Sequence, residues 1–447
     1  MRLNTYLYIK KYFTKFPYFF FSNILSFFSS FLVLIYLTNN YAPEDLKNLF
    51  LSQNIFLILY SISFSNVYYS IINNYNKKSL EYKKNFKEKF FLHLNFSFVS
   101  FFSLIFFLIF FNIDTEFKII LIIINVSLII EPLTLFYYDL FLKGNLKILF
   151  FVKLLSLLLG TSLKIYLIKH QYSLMYIGLA YIIENLLYML SIILLFNFYN
   201  KNFFFNIKNF DFLKQVYKNR YLPLLGLSAL ITLRLDIIFV NIFLEPKFVT
   251  IYSIVSRPVF FIYSLTVILS KFIYPIYSKL NYDSSFDGDN FYKFIILINF
   301  FVYSIFFILT IYFRDDFLLF FGADYLLGRN LIVYLVILTF FCGIINEWFG
   351  RMMSVGLVKK IFLFHLISIL LSFTLNYYFI LFWGLDGVAL SVLFSVILAF
   401  VLANFYQPRE IFLFFSFVSF SLNNSAKEAI KLIFIKKKPK KLANKKS

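Results

Sequence analysis

Apolar runs of about twenty or more residues, each long enough to cross a bilayer, recur along the whole chain and alternate with short polar stretches. Twelve spans are predicted, at about 16–37, 49–72, 91–112, 117–137, 148–168, 173–198, 221–244, 249–275, 291–313, 328–349, 361–383 and 387–405. The longest basic stretches between spans are 73–90 and 199–220, and the second divides the spans six and six. The expected organisation is an N-terminal six-helix lobe over 1–198, a cytoplasmic linker over 199–220 and a C-terminal six-helix lobe over 221–405. An interfacial segment and a basic tail follow over 406–447. The apolar part of that last segment, 411–422, is too short to span.

Polar positions inside the runs are spaced like helix faces. In the second span Ser63, Asn66, Ser70 and Asn73 recur every three or four residues, which puts them on one side of a helix. The eighth span carries Ser253, Arg257, Ser264 and Lys271, the fifth Lys153, Gly160 and Lys164, and the eleventh His365, Ser368, Ser372 and Asn376. Spans 2 and 8, and spans 5 and 11, hold corresponding places in the two halves. Such stripes either stitch helices together or line a cavity. Four of them at matched positions favour a shared central cavity. The fold expected is therefore an all-α polytopic membrane protein of about twelve helices, in two six-helix lobes around that cavity.

Five basic residues stand within the spans: Lys153, Lys164, Arg234, Arg257 and Lys271. A charge at bilayer depth costs at least a few kcal/mol, so it faces a bundle interior, a watery path or a partner. All five are cations, and a path they line suits an anion. Long stems can carry the lysines to an interface, and that reading stays open for Lys153, Lys164 and Lys271. It serves the arginines poorly. At about 1.5 Å per residue, Arg234 lies roughly 20 Å in from the cytoplasmic end and Arg257 about 12 Å below the external end. Asp236 is two residues from Arg234, on another helix face. Glu131, Glu184 and Glu347 also lie within spans, available as ion-pair partners or for a coupling H+ or Na+. Glu131 precedes Pro132, where a helix disturbance is expected.

Composition fits this picture. The hydrophobic fraction is 61%, mean hydropathy is +0.79 and 68 residues are Phe, more apolar surface than a soluble domain can hide. The net charge of +21 is mostly topology. With the N-terminus in the cytoplasm, 32 of the 43 Lys and Arg fall on the cytoplasmic side, 6 outside and five within the spans. That bias predicts both termini in the cytoplasm and calls for no nucleic acid. The tail lysines suit contact with membrane lipids. One cysteine, Cys342, excludes an internal disulfide, and three dispersed histidines (His93, His170 and His365) leave no metal site. There is no P-loop or phosphate cradle, no cofactor is expected, and the short external loops leave no room for an outer catalytic domain. A transporter fits better than a membrane glycan polymerase or ligase.

Several segments resemble Wzx-type oligosaccharide flippases. Phe320-Phe321-Gly322-Ala323-Asp324-Tyr325 and Gly384-Leu385-Asp386-Gly387-Val388-Ala389-Leu390 look like that family's loop after span 9 and the start of its span 12. Arg234-Leu235-Asp236 resembles its charged seventh helix. Thr250-Ile251-Tyr252-Ser253-Ile254 and Tyr274-Pro275 resemble the two ends of its eighth. Asn40-Tyr41-Ala42-Pro43-Glu44-Asp45 occupies the place of its first external loop. The resemblance implies the two-lobe fold of the multidrug/oligosaccharidyl-lipid/polysaccharide exporter superfamily. It also implies transfer of an undecaprenyl-pyrophosphate-linked oligosaccharide across a bacterial cytoplasmic membrane by alternating access, for O-antigen or capsule-like surface polysaccharide, in company with glycan polymerase machinery. On that reading Arg234 and Arg257 form the anion site. Lys271 and Lys153 help loading, Lys164 helps release, and polar stripe residues such as Asn66 and Ser264 contact sugar. A multidrug or cation antiporter of the same superfamily is the nearest rival, and the positive bias of the spans counts against it.

Overall fold

The computed structural model describes residues 16–64, 79–111, 114–199, 234–280, 288–355 and 357–405, all helix or short connection with no strand among them. In hydrocarbon no water can satisfy the backbone, and a helix closes its hydrogen bonds within itself. The helices are α1 (Phe16–Asn40), α2 (Pro43–Phe64), α3 (Ser79–Phe110), α4 (Thr115–Asn125), α5 (Ser127–Ile130), α6 (Thr134–Lys143), α7 (Leu146–Lys169) and α8 (Leu174–Tyr199). They continue with α9 (234–243), α10 (Pro246–Leu280), α11 (Gly288–Leu319), α12 (Arg329–Val355) and α13 (Val358–Ala403). The linker from residue 200 on, the first part of the seventh span and the tail 406–447 lie outside the described residues, as does Asn66.

Two of these elements differ from the simple reading of the hydropathy. The fourth span is broken: α4, α5, a 3-10 turn at Glu131–Leu133 and α6 follow one another. Pro132 has no N–H to donate and supplies the disturbance expected there. The second difference is α13, whose 46 residues hold two spans. Gly384 sits at φ 54°, ψ −129°, outside helical geometry. The Ser391 hydroxyl donates to Asn376 Oδ1 at 2.5 Å, although a straight helix would hold residues fifteen apart about 22 Å away from each other. The chain therefore doubles back at Gly384. Gly387 lies so close to the Phe379 carbonyl that a Cβ there would collide with backbone.

The hairpin also settles one stripe. Asn376 Nδ2 donates to the Ser372 carbonyl at 2.8 Å and to the Ser372 hydroxyl at 3.0 Å, and Ser391 completes the set. The Ser372 and Asn376 part of the eleventh span's polar face thus stitches it to the twelfth.

Large apolar side chains remain exposed along the outer faces. Phe106 and Ile109 on α3, Leu158 on α7, Leu194 on α8, Ile305 on α11 and Phe382 on α13 are each more than half exposed. In water this would be an aggregating surface, whereas in a bilayer it is the lipid-facing one. Nine segments among the described residues are long and apolar enough to cross a membrane, one of them the α13 hairpin. Inside, α10 packs against α12 and α2, and Val249 through Ser256 are all buried.

Helices before residue 200 meet those after 233 near the ends joined by the loops at 41, 245 and 322. Phe31 lies 5.7 Å from Phe317 and 5.5 Å from Phe321, and the Thr250 hydroxyl donates to the Pro43 carbonyl at 2.5 Å. These contacts close one end of the cleft between the two sets of helices.

Replacing Gly387 with Ala is expected to destabilise the hairpin by about 1–3 kcal/mol, the usual cost of forcing an atom into packed structure. Leu381→Ala, on the lipid-facing surface of the same hairpin, is the control. Thermal unfolding in detergent checks this, and equal melting temperatures for the two variants would contradict the hairpin geometry.

Candidate functional site

Arg234 lies nine residues before the end of α9 at residue 243 and Arg257 eleven residues into α10, so at about 1.5 Å per residue both sit roughly 15 Å below the closed end. The two guanidinium groups are close enough to repel each other. Neither has a carboxylate at ion-pair distance among the described residues. Each is instead held from across the cleft by a carboxamide on α2. Arg234 Nη1 donates to Asn54 Oδ1 at 2.9 Å, and Arg257 Nη2 donates to Gln53 Oε1. Asn54 Nδ2 donates to the Phe50 carbonyl at 2.8 Å, which turns its oxygen toward Arg234. Aromatic faces complete both settings, with Phe260 at 4.4 Å from the Arg234 guanidinium and Phe50 at 5.0 Å from that of Arg257. A ring face attracts a cation, and the attraction grows when water is excluded.

Asp236 offsets this charge only in part, acting on Arg234 electrostatically without touching it. It is buried, its carboxylate accepts from the Tyr252 hydroxyl on α10, and its other oxygen accepts from the Ile237 N–H at 2.7 Å. It ties α9 to α10 and does not pair with Arg234.

The lysines are placed differently. Lys164 is 3% exposed and forms an ion pair with Glu184 on α8 at 2.6 Å. Its ammonium also lies 3.8 Å from the Tyr181 ring. Gly160 makes room for this pair, because a Cβ there would overlap the Glu184 side chain. Lys153 lies 4.3 Å from the Tyr188 ring and interacts electrostatically with Glu184 and Glu131. Glu131, Lys153, Arg234 and Arg257 all lie deep within the helical envelope, yet each keeps accessible surface. Their partial exposure sets them apart from the fully packed core.

Three further expected site residues lie on α10 and α12. Ser264 donates to the Phe261 carbonyl of its own helix at 2.7 Å. Glu347 is buried on α12. The backbone at Lys271 is helical, and its side chain lies outside the described residues. No group of three or more potential metal ligands occurs among the described residues.

The partners were the unread part of this site. Gln53 and Asn54 sit in an apolar run with no motif around them. Tyr181, Glu184 and Tyr188 share one face of α8 by their spacing of three and four, a signal present in the sequence but hidden among 34 tyrosines.

No protein-family model matches the chain, and no curated protein matches its sequence. Its shape does match solved structures. Against the lipid II flippase MurJ in an inward closed conformation the TM-score is 0.66 at 18% identity, covering 95% of this chain and 94% of that one. An inward-facing multidrug resistance MATE family transporter of the MOP superfamily gives 0.57 at 14% identity, covering 86% and 94%. A mutant of the Vibrio cholerae MATE transporter VcmN gives 0.63 at 11% identity, covering 92% and 100%. At these identities the likeness is one of fold. The chain has the all-α architecture of these membrane transporters over nearly its full length.

Glu184→Gln would leave the Lys164 ammonium buried without its counter-charge, a change that typically costs about 3–5 kcal/mol. The double change Glu184→Gln with Lys164→Met should recover most of that loss. Thermal unfolding of the purified variants in detergent tests this, and a double variant no more stable than the single one would contradict a structural ion pair.

Proposed function

We propose that this protein is a flippase of the Wzx type, moving an undecaprenyl-pyrophosphate-linked oligosaccharide from the inner to the outer leaflet of a bacterial cytoplasmic membrane. The observation that carries the reading is the pair Arg234 and Arg257. They lie at one depth on consecutive helices, facing an internal space, with no carboxylate in contact with either and only Asp236 acting on Arg234 at longer range, so the pair keeps a net positive charge. The planar guanidinium fork matches phosphate oxygens, and a charged acceptor binds it roughly twice as strongly as a neutral one. A pyrophosphate can therefore displace the Asn54 and Gln53 carboxamides from the arginines. Those carboxamides belong to the opposite half of the molecule, so their displacement loosens the contact that closes one end of the cleft. The charge distribution of the loops puts that end outside, with both termini in the cytoplasm. Binding from the inner leaflet then favours opening outward, the coupling that alternating access requires.

The fold shared with the lipid II flippase and the MATE transporters supports export over catalysis. A drug or cation antiporter is disfavoured by a site whose unbalanced charge is positive. Lys153, Lys164 and Lys271 belong to the route as supporting cations, and Asp236, Glu131, Glu184 and Glu347 are the acids through which H+ or Na+ could couple. Polymerase machinery acting on the exported glycan is the expected functional partner.

Arg234→Ala and Arg257→Ala, alone and together, test the reading in cells whose only copy is the variant, with surface polysaccharide measured at matched protein levels. Losing a charge-assisted contact of about 1.5–3 kcal/mol weakens binding roughly 10- to 100-fold, so each single change should cut export strongly and the double change abolish it. Undiminished export in all three strains would sink the proposal.

A further inference from the structure

The arginine pair is one end of a longer polar track. Tyr181 on α8 is an electrostatic neighbour of Arg257. Glu184 and Tyr188 follow it on the same helix face. Lys164 covers the Tyr181 ring at 3.8 Å and Lys153 the Tyr188 ring at 4.3 Å. Past Lys153 the track reaches Glu131, which interacts electrostatically with Lys153, Tyr188 and Tyr60. Tyr137 and Tyr138 flank it, their ring centroids 5.4 Å apart and both within electrostatic reach of Tyr188. Apart from the buried Lys164, every residue on the track keeps accessible surface.

We propose that this track seats the glycan, and that the sugars it takes next to the pyrophosphate are uncharged pyranoses. The inference rests on the function proposed above and names the substrate class for a second part of the same site. Three features support it. The first is surface chemistry: a tyrosine offers an apolar face to the C–H side of a pyranose and a hydroxyl to its rim, while carboxylate and ammonium supply acceptors and donors for sugar hydroxyls. The second is charge. Two lysines face two glutamates along the track, so an acidic sugar gains no net attraction there, whereas the arginine pair keeps its positive charge for phosphate. The third is continuity. In a glycosyl pyrophosphate the first sugar is bonded directly to a phosphate oxygen, so its seat must lie near the phosphate site, and Tyr181 is within electrostatic reach of Arg257. Lys164 has a positioning role, because its bond to Glu184 at 2.6 Å fixes the carboxylate between the two rings.

Binding of three probes to the full-length protein in nanodiscs tests this: undecaprenyl pyrophosphate, and the same lipid carrying N-acetylglucosamine or glucuronic acid. For the wild type, the N-acetylglucosamine probe should bind roughly 3- to 10-fold more tightly than the bare lipid, the range expected of one or two aromatic contacts. Tyr181→Leu and Tyr188→Leu should remove that increment and leave bare-lipid affinity unchanged, which also shows that the variants are folded. Arg234→Ala should weaken all three probes alike. An increment that survives in both leucine variants, or is absent from the wild type, overturns the glycan seat and leaves the flippase reading standing. A larger increment for glucuronic acid overturns the uncharged class. Reduced bare-lipid affinity in the tyrosine variants reassigns the track to the lipid and overturns the seat. A wild type that fails to bind undecaprenyl pyrophosphate at all refutes the proposed function, and the seat falls with it.

Discussion

An ionised side chain in hydrocarbon must be given partners, because several kcal/mol of lost hydration have to be offset locally. That constraint shapes the interior of this chain. Lys164 is compensated fully, with a carboxylate at 2.6 Å and a ring at 3.8 Å. Lys153 is compensated more loosely, by a ring and by two carboxylates acting at longer range. Arg234 and Arg257 receive hydrogen bonds and rings but no opposite charge in contact. The gradient runs from neutral to positive toward the seam between the two sets of helices.

Packing follows from these partnerships. Gly160 exists at a close approach because Glu184 must lie against α7 to reach Lys164. Asp236 is buried because Tyr252 and the Ile237 N–H absorb its charge, and that arrangement joins α9 to α10 just beside Arg234. Gln53 and Asn54, adjacent on α2, reach two different helices of the other half. Neighbours in a helix point about 100° apart, so this one pair of residues reaches α9 and α10 in two different directions. The aromatic contacts of Phe31 close the seam, but the carboxamides hold the arginines from α2.

Much of this was legible in the sequence. Long apolar runs, the loops between them and the depth of the two arginines follow from residue spacing alone, because helix rise converts position into depth. Pro132 announced its own helix break. The polar stripe of the eleventh span shows the limit of that reasoning. Periodicity identifies a face but not its neighbour, and the face of Ser372 and Asn376 turned out to meet Ser391 across the Gly384 hairpin. Gln53 and Asn54 were invisible for a related reason. A neutral amide in an apolar run has no signature, and its importance comes only from the guanidinium that tertiary folding brings to it. Snorkelling stood open for Lys164 for the same reason, since only the fold brings Glu184 to it.

The choice of carboxamide over carboxylate at the seam has a physical consequence. A glutamate and an aspartate in place of Gln53 and Asn54 would pair with the arginines more strongly, and an incoming anion would then have to separate two desolvated ion pairs. With amides, the guanidinium groups are oriented and their N–H donors satisfied, while their charge stays available. On the proposed function, such a contact would be strong enough to specify one arrangement of the two sets of helices and weak enough to yield to a phosphate. A ligand can shift an equilibrium between arrangements only by its difference in affinity for them. Neutral partners placed on the opposite half make that difference large for an anion and small for an uncharged or cationic solute. Selectivity and movement would then arise from the same two hydrogen bonds.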